Sequence, residues 1–363
     1  MLVTKVYLEN FLSYGTLFAE FGEGVNVLVG HNAAGKTNLL ESLYYSSVGK
    51  SARGLKDKDL LTWGSEKNAR IRLFVQKKYS SHVADISIDK LGKKRITIDG
   101  LPISRIGELM GVINVVFFSP SEMKLIKESP ADRRRFLDIS LCQQDKRYFY
   151  SLVRYNKLLS QRNKLLKDYK NSPSLPAMND VLIAKMCEEQ EYIYKKRKAF
   201  LDALAPVADA KHAILTQGKE RLELSYETEE VDENDVKGSL AKLYRQSYEK
   251  DCRLEYTTVG VHRDDVKITA SGVDIRKFGS QGQQRTAVLS MKLAEVEMFR
   301  QASGEYPVLL MDDVLSELDE DRRKALFAGL DGIQTFITCT DFGDEIGENK
   351  TVYNVREGKV IKL

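Results

Sequence analysis

Alternating apolar and polar residues predict short strands in the first third of the chain. Residues 71–76, 83–89 and 95–99 alternate in this way, as half-exposed strands do. Asp99-Gly100 is a favoured type I′ turn pair, so residues 95–103 are predicted to form a hairpin. Compact, mainly apolar runs at 25–29 and 113–118 predict buried strands, and a helix is predicted to follow the first of them, from about residue 38 to 46.

The pattern changes between residues 131 and 251, where Leu, Lys, Arg, Glu, Tyr and Gln recur at helical spacing. Pro173 and Pro176 are predicted to break the helices there, and strands alternate with helices again from about residue 255. We therefore predict an α/β fold in which residues 1–125 and 256–363 form the two halves of one domain. Residues 126–255 form an inserted helical second domain, which is too short and too interrupted to be a long coiled coil.

Composition narrows the class of protein. The 363 residues are 42% hydrophobic and 30% charged, with a net charge of +4, which is typical of a folded and charge-rich protein. No apolar run approaches the roughly 18 residues that span a bilayer, and Glu9 interrupts the region where a signal peptide is apolar. We therefore expect a cytoplasmic protein without a membrane partner. The cysteines form no CxxC pair, which argues against a zinc site or a disulfide framework.

A phosphate-binding loop is predicted where the chain reads Gly30-His31-Asn32-Ala33-Ala34-Gly35-Lys36-Thr37, a match to GxxxxGK[ST]. The motif lies between a predicted strand and a predicted helix, as it does in P-loop proteins. Glycine lets the backbone approach phosphate oxygens closely, and the helix N-terminus directs its amides toward them. Lys36 is predicted to reach the β- and γ-phosphates and Thr37 to ligate Mg²⁺. The alternative is a glycine-rich turn with a surface lysine, and His31 is expected to face solvent.

A second acidic site is predicted where the apolar run 308–311 ends at Asp312 and Asp313. A buried strand that delivers an aspartate at its carboxyl end presents a magnesium ligand in P-loop folds, and Asp312 is predicted to take that role. Asp313 is placed one residue further on, where it can polarise an attacking water. The alternative is that these aspartates are ordinary turn formers.

A second phosphate cradle is predicted between these two motifs, at Ser280, Gln281, Gly282 and Gln283, where a polar turn opens a helical run. One nucleotide does not need two cradles in one chain. The second cradle is explained if it binds the γ-phosphate held by another copy of the protein. The alternative is a polar turn that only caps its helix.

In this order, the motifs resemble those of the ATP-binding-cassette ATPases. Residues 313–319, which include Ser316 and Asp319, resemble the D-loop of that superfamily position by position. More narrowly, the chain resembles the bacterial RecF family of recombination mediators at residues 118–122, 129–138, 260–265 and 280–285. The resemblance implies a cassette ATPase head that combines a P-loop parallel sheet with antiparallel strands.

The resemblance also implies a function in recombinational DNA repair, replication restart and the response to DNA damage. It implies that ATP and Mg²⁺ drive a homodimer that clamps DNA near single-strand gaps and helps mediators load a recombinase. The implied DNA partners are duplexes and junctions of duplex with single strand, bound without sequence preference. The implied protein partners are RecR and RecO.

Departures from the superfamily pattern predict slow ATP hydrolysis. Asp313 stands where most cassette ATPases have Glu, and Thr340 stands where many have His. The usual lid glutamine is missing after residue 118. The expected activity is therefore a weak, DNA-dependent ATPase that acts as a switch.

Candidate DNA contacts come from a basic run, because residues 131–170 contain 11 Lys and Arg against 4 Asp and Glu. Such a surface predicts binding that depends on salt and tolerates any sequence. The candidate residues are Arg133, Arg134, Arg135, Lys146 and Arg147. The alternatives are a solvated charged face and, for Arg134 and Arg135, ion pairs within the chain.

Two further function classes remain open at this stage. The ATPase subunit of a membrane transporter shares the three nucleotide motifs, and a small-molecule kinase shares the P-loop alone. The signature turn and D-loop count against the kinase. The basic helical insertion counts against the transporter subunit, and retention of DNA on a filter would distinguish it from the repair protein.

Overall fold

The structure is a computed structural model, and it describes residues 1–167, 175–340 and 350–363. The strands are β1 (Leu2–Phe11), β2 (Tyr14–Glu20), β3 (Val25–Val29), β4 (Ala69–Gln76), β5 (Ser81–Ile88), β6 (Lys94–Ile98), β7 (Leu101–Pro102), β8 (Val115–Phe118), β9 (Leu222–Glu227), β10 (Asp265–Ala270), β11 (Val273–Asp274), β12 (Val308–Asp312), β13 (Thr335–Cys339), β14 (Lys350–Arg356) and β15 (Lys359–Lys362). The helices are α1 (Lys36–Val48), α2 (Lys124–Lys127), α3 (Pro130–Gln144), α4 (Lys146–Lys167), α5 (Leu175–Leu215), α6 (Val236–Leu254), α7 (Ile275–Phe278), α8 (Gln281–Ser303) and α9 (Glu320–Ala328).

The chain divides by its contacts into two compact units. Unit 1 comprises residues 1–123, 207–221 and 285–363, and unit 2 comprises residues 124–206 and 222–284. Helices α5 and α8 therefore contribute residues to both units. The domain boundaries expected from sequence, after residues 125 and 255, stay a prediction of domain organisation. Among the described helices, none combines the length and the apolar character that crossing a membrane requires.

Unit 1 contains two six-stranded sheets. One is antiparallel, in the order β2-β1-β4-β5-β6-β7. The other has the order β15-β14-β3-β13-β12-β8 and is parallel except for its edge strand β15. One apolar cluster collects side chains from both sheets and from α1. The predicted α/β fold, with a parallel P-loop sheet and antiparallel strands, is therefore confirmed.

The predicted hairpin and the buried strands of unit 1 are present. Strands β6 and β7 are joined by Asp99 and Gly100, both of which have positive φ angles (54° and 81°), as the central residues of a type I′ turn do. Strand β13 is buried along its whole length, and β12 is buried up to Asp312, as expected for central strands of a parallel sheet.

Unit 2 combines helices with a small sheet of order β11-β10-β9. The prediction that residues 131–251 are helical is wrong at β9, whose Leu222, Leu224 and Tyr226 alternate with period two and pair with β10. Pro176 lies in the first turn of α5, where proline is tolerated because its missing N–H is not needed. Pro173 lies outside the described residues.

Candidate functional site

The loop at residues 30–37 joins β3 to α1 and has a backbone that requires glycine at two positions. A Cβ on Gly30 would lie 2.3 Å from the carbonyl oxygen of Val355, which is a backbone atom that cannot move aside. Gly35 has a φ of 108°, and Ala33 also has a positive φ, 65°. The loop therefore has the close turns that a phosphate cradle needs, and the amides at the start of α1 are directed into it.

Lys36 is nearly buried and lies across this loop. Its ammonium group donates hydrogen bonds to the carbonyl oxygens of Gly30, at 2.5 Å, and His31, at 2.9 Å. His31, Asn32 and Ala33 are exposed, so the predicted solvent-facing position of His31 is confirmed. The loop thus holds the Lys36 ammonium group against its own carbonyl oxygens.

Thr37 and Asp312 meet although 275 residues separate them. The Thr37 hydroxyl donates to Asp312 Oδ1 at 2.9 Å. The meeting follows from strand order, because β3 and β12 lie on either side of β13 and all three run parallel. Their carboxyl ends share one edge of the sheet, and hydroxyl and carboxylate oxygens are the ligands that Mg²⁺ prefers. The two side chains predicted to hold Mg²⁺ therefore form one oxygen-rich site.

Asp313 is exposed and has a φ of 52°, in the left-handed region. Its N–H donates to the Thr338 hydroxyl at 2.9 Å, and its carbonyl oxygen accepts from the Ser316 hydroxyl at 3.0 Å. Asp319 caps α9 by accepting the Arg322 N–H at 2.9 Å. The two predicted D-loop residues, Ser316 and Asp319, therefore fix the backbone on either side of that loop.

A pocket of about 350 Å³ joins the loop to the acidic strand end. It is lined by Asn32, Ala33, Ala34, Gly35, Lys36, Thr37, Asn38, Arg53, Asp312, Asp313, Thr338 and Thr340. The lining combines cationic and amide groups with acidic and hydroxyl oxygens. This arrangement suits a polyphosphate with a divalent cation.

Sequence reasoning missed three of the lining residues: Asn38, Arg53 and Thr338. The Arg53 guanidinium donates to Asn38 Oδ1 at 3.0 Å and pairs with Glu41 at 3.4 Å. These contacts depend on how the segment after α1 folds back, which no short motif encodes. Thr338 is a hydroxyl residue on strand β13, and its position opposite Asp312 depends on the pairing of β12 with β13, which no short motif encodes.

The signature turn belongs to unit 2 and forms a reciprocal cap on α8. The Ser280 N–H donates to Gln283 Oε1 at 2.8 Å, and the Gln283 N–H donates to Ser280 Oγ at 3.2 Å. Ser280 and Gln281 are exposed, and Gly282 and Gln283 are half-buried. The geometry is a capping box, which holds the start of the helix in a fixed conformation. The predicted role of this turn in binding a nucleotide stays a prediction.

The basic run divides into buried and exposed side chains. Arg133 is buried and forms a bidentate ion pair with Asp265, with its Nε 2.5 Å from Oδ1. Because its guanidinium is fully engaged inside unit 2, we correct the expectation that Arg133 contacts DNA. Arg134 is half-buried and donates to the carbonyl oxygen of Asp264 at 2.5 Å, and burial lowers its pKa.

Arg135, Lys146 and Arg147 are exposed. The Arg147 guanidinium lies over the ring of Tyr192, 4.1 Å from its centroid, and keeps one face toward solvent. Of the five candidates, these three have side chains that a polyanion can reach.

The sequence is similar to one family of known proteins along nearly its whole length. Residues 2–356 match the family described as "RecF/RecN/SMC N terminal domain". The chain is 42% identical over 366 residues to the "DNA replication and repair protein RecF" of Clostridium kluyveri, with both chains covered completely. It is also 42% identical to the protein of the same name from Clostridium acetobutylicum, over 98% of this chain and 97% of the relative.

Solved structures of RecF and of an Smc head domain have the same fold as this chain. The chain superposes with a TM-score of 0.91 and 35% identity on the "recombination mediator protein RecF-ATP in RecFOR pathway", covering 99% of this chain and 97% of the other. A head domain of Smc bound to the winged-helix domain of ScpA matches at a TM-score of 0.60 and 17% identity, which supports the fold alone. The P-loop and the acidic strand end converge on one pocket, and the chain is similar to RecF proteins over its full length. The chain therefore belongs to the RecF family of DNA replication and repair proteins.

Proposed function

We propose that the pocket of unit 1 binds ATP with Mg²⁺, and that the bound nucleotide switches the protein between states that differ in DNA binding. The observation that carries this proposal is the contact between the Thr37 hydroxyl and the Asp312 carboxylate at the mouth of the P-loop. A solved relative, 35% identical, is described as bound to ATP.

The residues of the loop and of the acidic strand end have distinct roles in this proposal. Amides of residues 30–37 hold the phosphates, and Lys36 exchanges its two loop carbonyls for phosphate oxygens. Thr37 and Asp312 hold Mg²⁺, which neutralises charge on the phosphates when it is bound. Asp313 orients a water molecule, and its short side chain keeps hydrolysis slow.

The signature turn extends the proposal to a second copy of the chain. Ser280 and Gln281 are exposed at the start of a helix of 23 residues, where partial positive charge favours an anion. Two copies paired head to tail about a twofold axis would place each turn at the γ-phosphate held by the other. ATP would then stabilise the dimer, and ADP would not, because it lacks the bridging group.

The biological setting is recombinational repair and replication restart. We propose that the ATP-bound dimer clamps DNA near single-strand gaps, helps mediator proteins of the RecR and RecO type load a recombinase, and leaves after hydrolysis. The exposed residues Arg135, Lys146 and Arg147 are proposed to contact the DNA backbone. Backbone contacts carry no sequence information, so duplexes and duplex–single-strand junctions of any sequence are the expected ligands.

A DNA-binding titration with and without ATP, repeated at two salt concentrations, tests the proposal. Wild-type protein should bind DNA more tightly with ATP and Mg²⁺, whereas Lys36→Met should lose this response and keep its thermal midpoint. Losing charge-assisted bonds of about 1.5–3 kcal/mol each predicts at least about tenfold weaker ATP binding. Lys50→Met, the same change at an exposed lysine just after α1, is the control. A Lys36→Met protein that binds ATP and DNA as the parent does would refute the assignment.

A further inference from the structure

Among the described residues, the Thr338 hydroxyl makes two hydrogen bonds, and both go to the acidic strand end. It lies on β13 opposite Asp312 in the parallel register, and it is 1% exposed. Its hydroxyl donates to Asp312 Oδ1 at 2.8 Å and accepts the Asp313 N–H at 2.9 Å. We propose that Thr338 is a positioning residue that holds the Asp312 carboxylate and the Asp313 backbone in the arrangement that Mg²⁺ and ATP require. This inference rests on the proposed nucleotide function.

The chemistry of a hydroxyl group determines the direction of these bonds. A hydroxyl has one hydrogen to donate and two lone pairs to accept with. Because the Asp313 N–H can only donate, the Thr338 oxygen accepts there and its one hydrogen points to Asp312. The Thr37 hydroxyl donates to the same oxygen of Asp312 at 2.9 Å. Oδ1 is thereby held from helix α1 by Thr37 and from strand β13 by Thr338.

The second bond acts on a strained backbone. Asp313 has a φ of 52°, a conformation that side-chain-bearing residues seldom adopt. Such a conformation persists where surrounding contacts over-determine it, and the bond from the Asp313 N–H to Thr338 is one of these contacts. Thr338 therefore positions the metal ligand and the residue proposed to orient water, and it does so through one oxygen atom.

A purely structural role explains the hydroxyl less well. In a buried parallel strand, valine fits as well as threonine and carries no polar group that needs a partner. Thr335, on the same strand, has a local partner: its hydroxyl donates to the carbonyl oxygen of Ile333, two residues away, at 3.2 Å. Thr338 makes no such local bond among its described contacts and reaches across to β12 instead.

The test compares Thr338→Val and Thr338→Ser by ATP affinity, measured by calorimetry in EDTA and again in excess MgCl₂. Thr338→Val should bind ATP as wild type does in EDTA, because the phosphate cradle is intact. It should lose about tenfold or more of the Mg²⁺-dependent gain, as outer-shell changes do in metal sites. Thr338→Ser should keep the gain, and Thr335→Val is the matched control on the same strand.

The outcomes separate this inference from the proposed function. A Thr338→Val protein with the full Mg²⁺ response would overturn the positioning role. If Thr338→Val does not fold, Thr338→Cys replaces it, because buried cysteine is tolerated and its S–H is a weak donor; equal Mg²⁺ responses of the Cys and Ser variants would then overturn the role. In an Asp312→Asn background, Thr338→Val should cause no further loss. Wild-type protein that binds no ATP would overturn the proposed function itself.

Discussion

Arg162 and Asp251 form an ion pair inside unit 2 in which neither side chain has any exposed surface. Arg162 Nη1 lies 2.8 Å from Asp251 Oδ2, and the same nitrogen donates to the Thr257 hydroxyl at 2.7 Å. The other carboxylate oxygen of Asp251 accepts from Thr258, and Arg162 Nε donates to Asn179. The pair therefore joins α4, α5, α6 and the segment that follows α6.

Asp251→Asn should destabilise unit 2 strongly, because it leaves the Arg162 guanidinium buried without its counter-charge. The expected loss is about 3–5 kcal/mol in the free energy of unfolding, measured by chemical denaturation. Adding Arg162→Met should recover part of the loss, since the buried charge is then removed as well. Glu191→Gln, which breaks the exposed pair with Lys195, should cost at most about 0.5 kcal/mol. Similar losses at the two sites would contradict the distinction between buried and exposed pairs.

Asp313→Asn should separate nucleotide binding from hydrolysis. An amide cannot accept a proton from water, so ATP turnover with DNA present should fall by about a hundredfold or more. ATP affinity should stay unchanged, because Lys36, Thr37 and Asp312 are untouched. The control is Asp331→Asn at an exposed turn of the same unit. Unchanged turnover in the Asp313 variant would mean that another group orients the water.

Alanine substitutions in the basic run should separate exposed side chains that bind DNA from a buried one that stabilises the fold. Replacing Arg135, Lys146 and Arg147 together should weaken binding to all DNA sequences alike. The slope of log affinity against log salt should flatten by up to about 0.9 for each lost phosphate contact. Arg133→Ala should instead lower the thermal midpoint through its lost pair with Asp265. If the triple variant keeps the wild-type slope, the DNA surface lies elsewhere.

His262 should make unit 2 less stable at mildly acidic pH. Burial lowers the pKa of His262 from 6.5 to about 4. Its Nε2 lies 3.1 Å from the carbonyl oxygen of Thr257, which can only accept, so Nε2 carries the proton and Nδ1 accepts from the Tyr155 hydroxyl at 2.6 Å. Both bonds are satisfied by the neutral ring, and a second proton, on Nδ1, would require the Tyr155 oxygen to accept instead of donate.

The folded protein should lose stability as the pH falls, because the pKa of His262 is lower in the folded state than in the unfolded chain. Between pH 6.5 and about 4 the unfolded chain binds the proton and the folded chain does not, so the free energy of unfolding falls as pH drops. Full titration corresponds to about 3 kcal/mol. His262→Gln should lower the free energy of unfolding at neutral pH, and this free energy should then decline less steeply between pH 6.5 and about 4 than it does in the wild type. Chemical denaturation at several pH values measures both effects. A histidine resonance of His262 that titrates near 6.5 would contradict the prediction.

Ser280→Arg should block dimerisation without affecting ATP binding. An arginine at the exposed start of α8 would crowd a phosphate presented by a second copy, whereas the pocket of unit 1 contains no part of this turn. Light scattering with ATP and Mg²⁺ should show a monomer, and hydrolysis should be lost. Ser303→Arg, the same change at the other end of α8, should dimerise normally. Wild-type protein that stays monomeric at micromolar concentration with ATP, Mg²⁺ and DNA would refute the dimer itself.

The sequence predicted those parts of the site that depend on neighbouring residues. The loop at residues 30–37 and the strand end at Asp312 are continuous motifs, and their local geometry follows from glycine positions and apolar runs. The motifs predict Thr37 and Asp312 as ligands of Mg²⁺, and the structure shows that the two side chains are in contact.

Contacts between segments that lie far apart in the chain could not be predicted from the sequence. The pair of Arg133 with Asp265 spans 132 residues, so the sequence shows an arginine in a basic run and not its buried partner. The role of Thr338 depends on its register opposite Asp312, which no local pattern encodes. Strand β9 was missed because the charged residues around it have a helical composition, and only its pairing with β10 decides its conformation.

The position of β3 in its sheet has a consequence for biosynthesis. Both neighbours of β3 come from the far end of the chain, since Val25 pairs with Thr335 on one side and Lys350 on the other. At a translation rate of about 5–20 residues per second, the ribosome needs roughly 15–60 s to deliver them. The apolar residues of β3 lack their sheet partners throughout that interval, and transiently exposed apolar segments of this kind are prone to aggregation. A polypeptide truncated before β13 would lack both strands that hold β3, and with it the start of the P-loop, in this sheet.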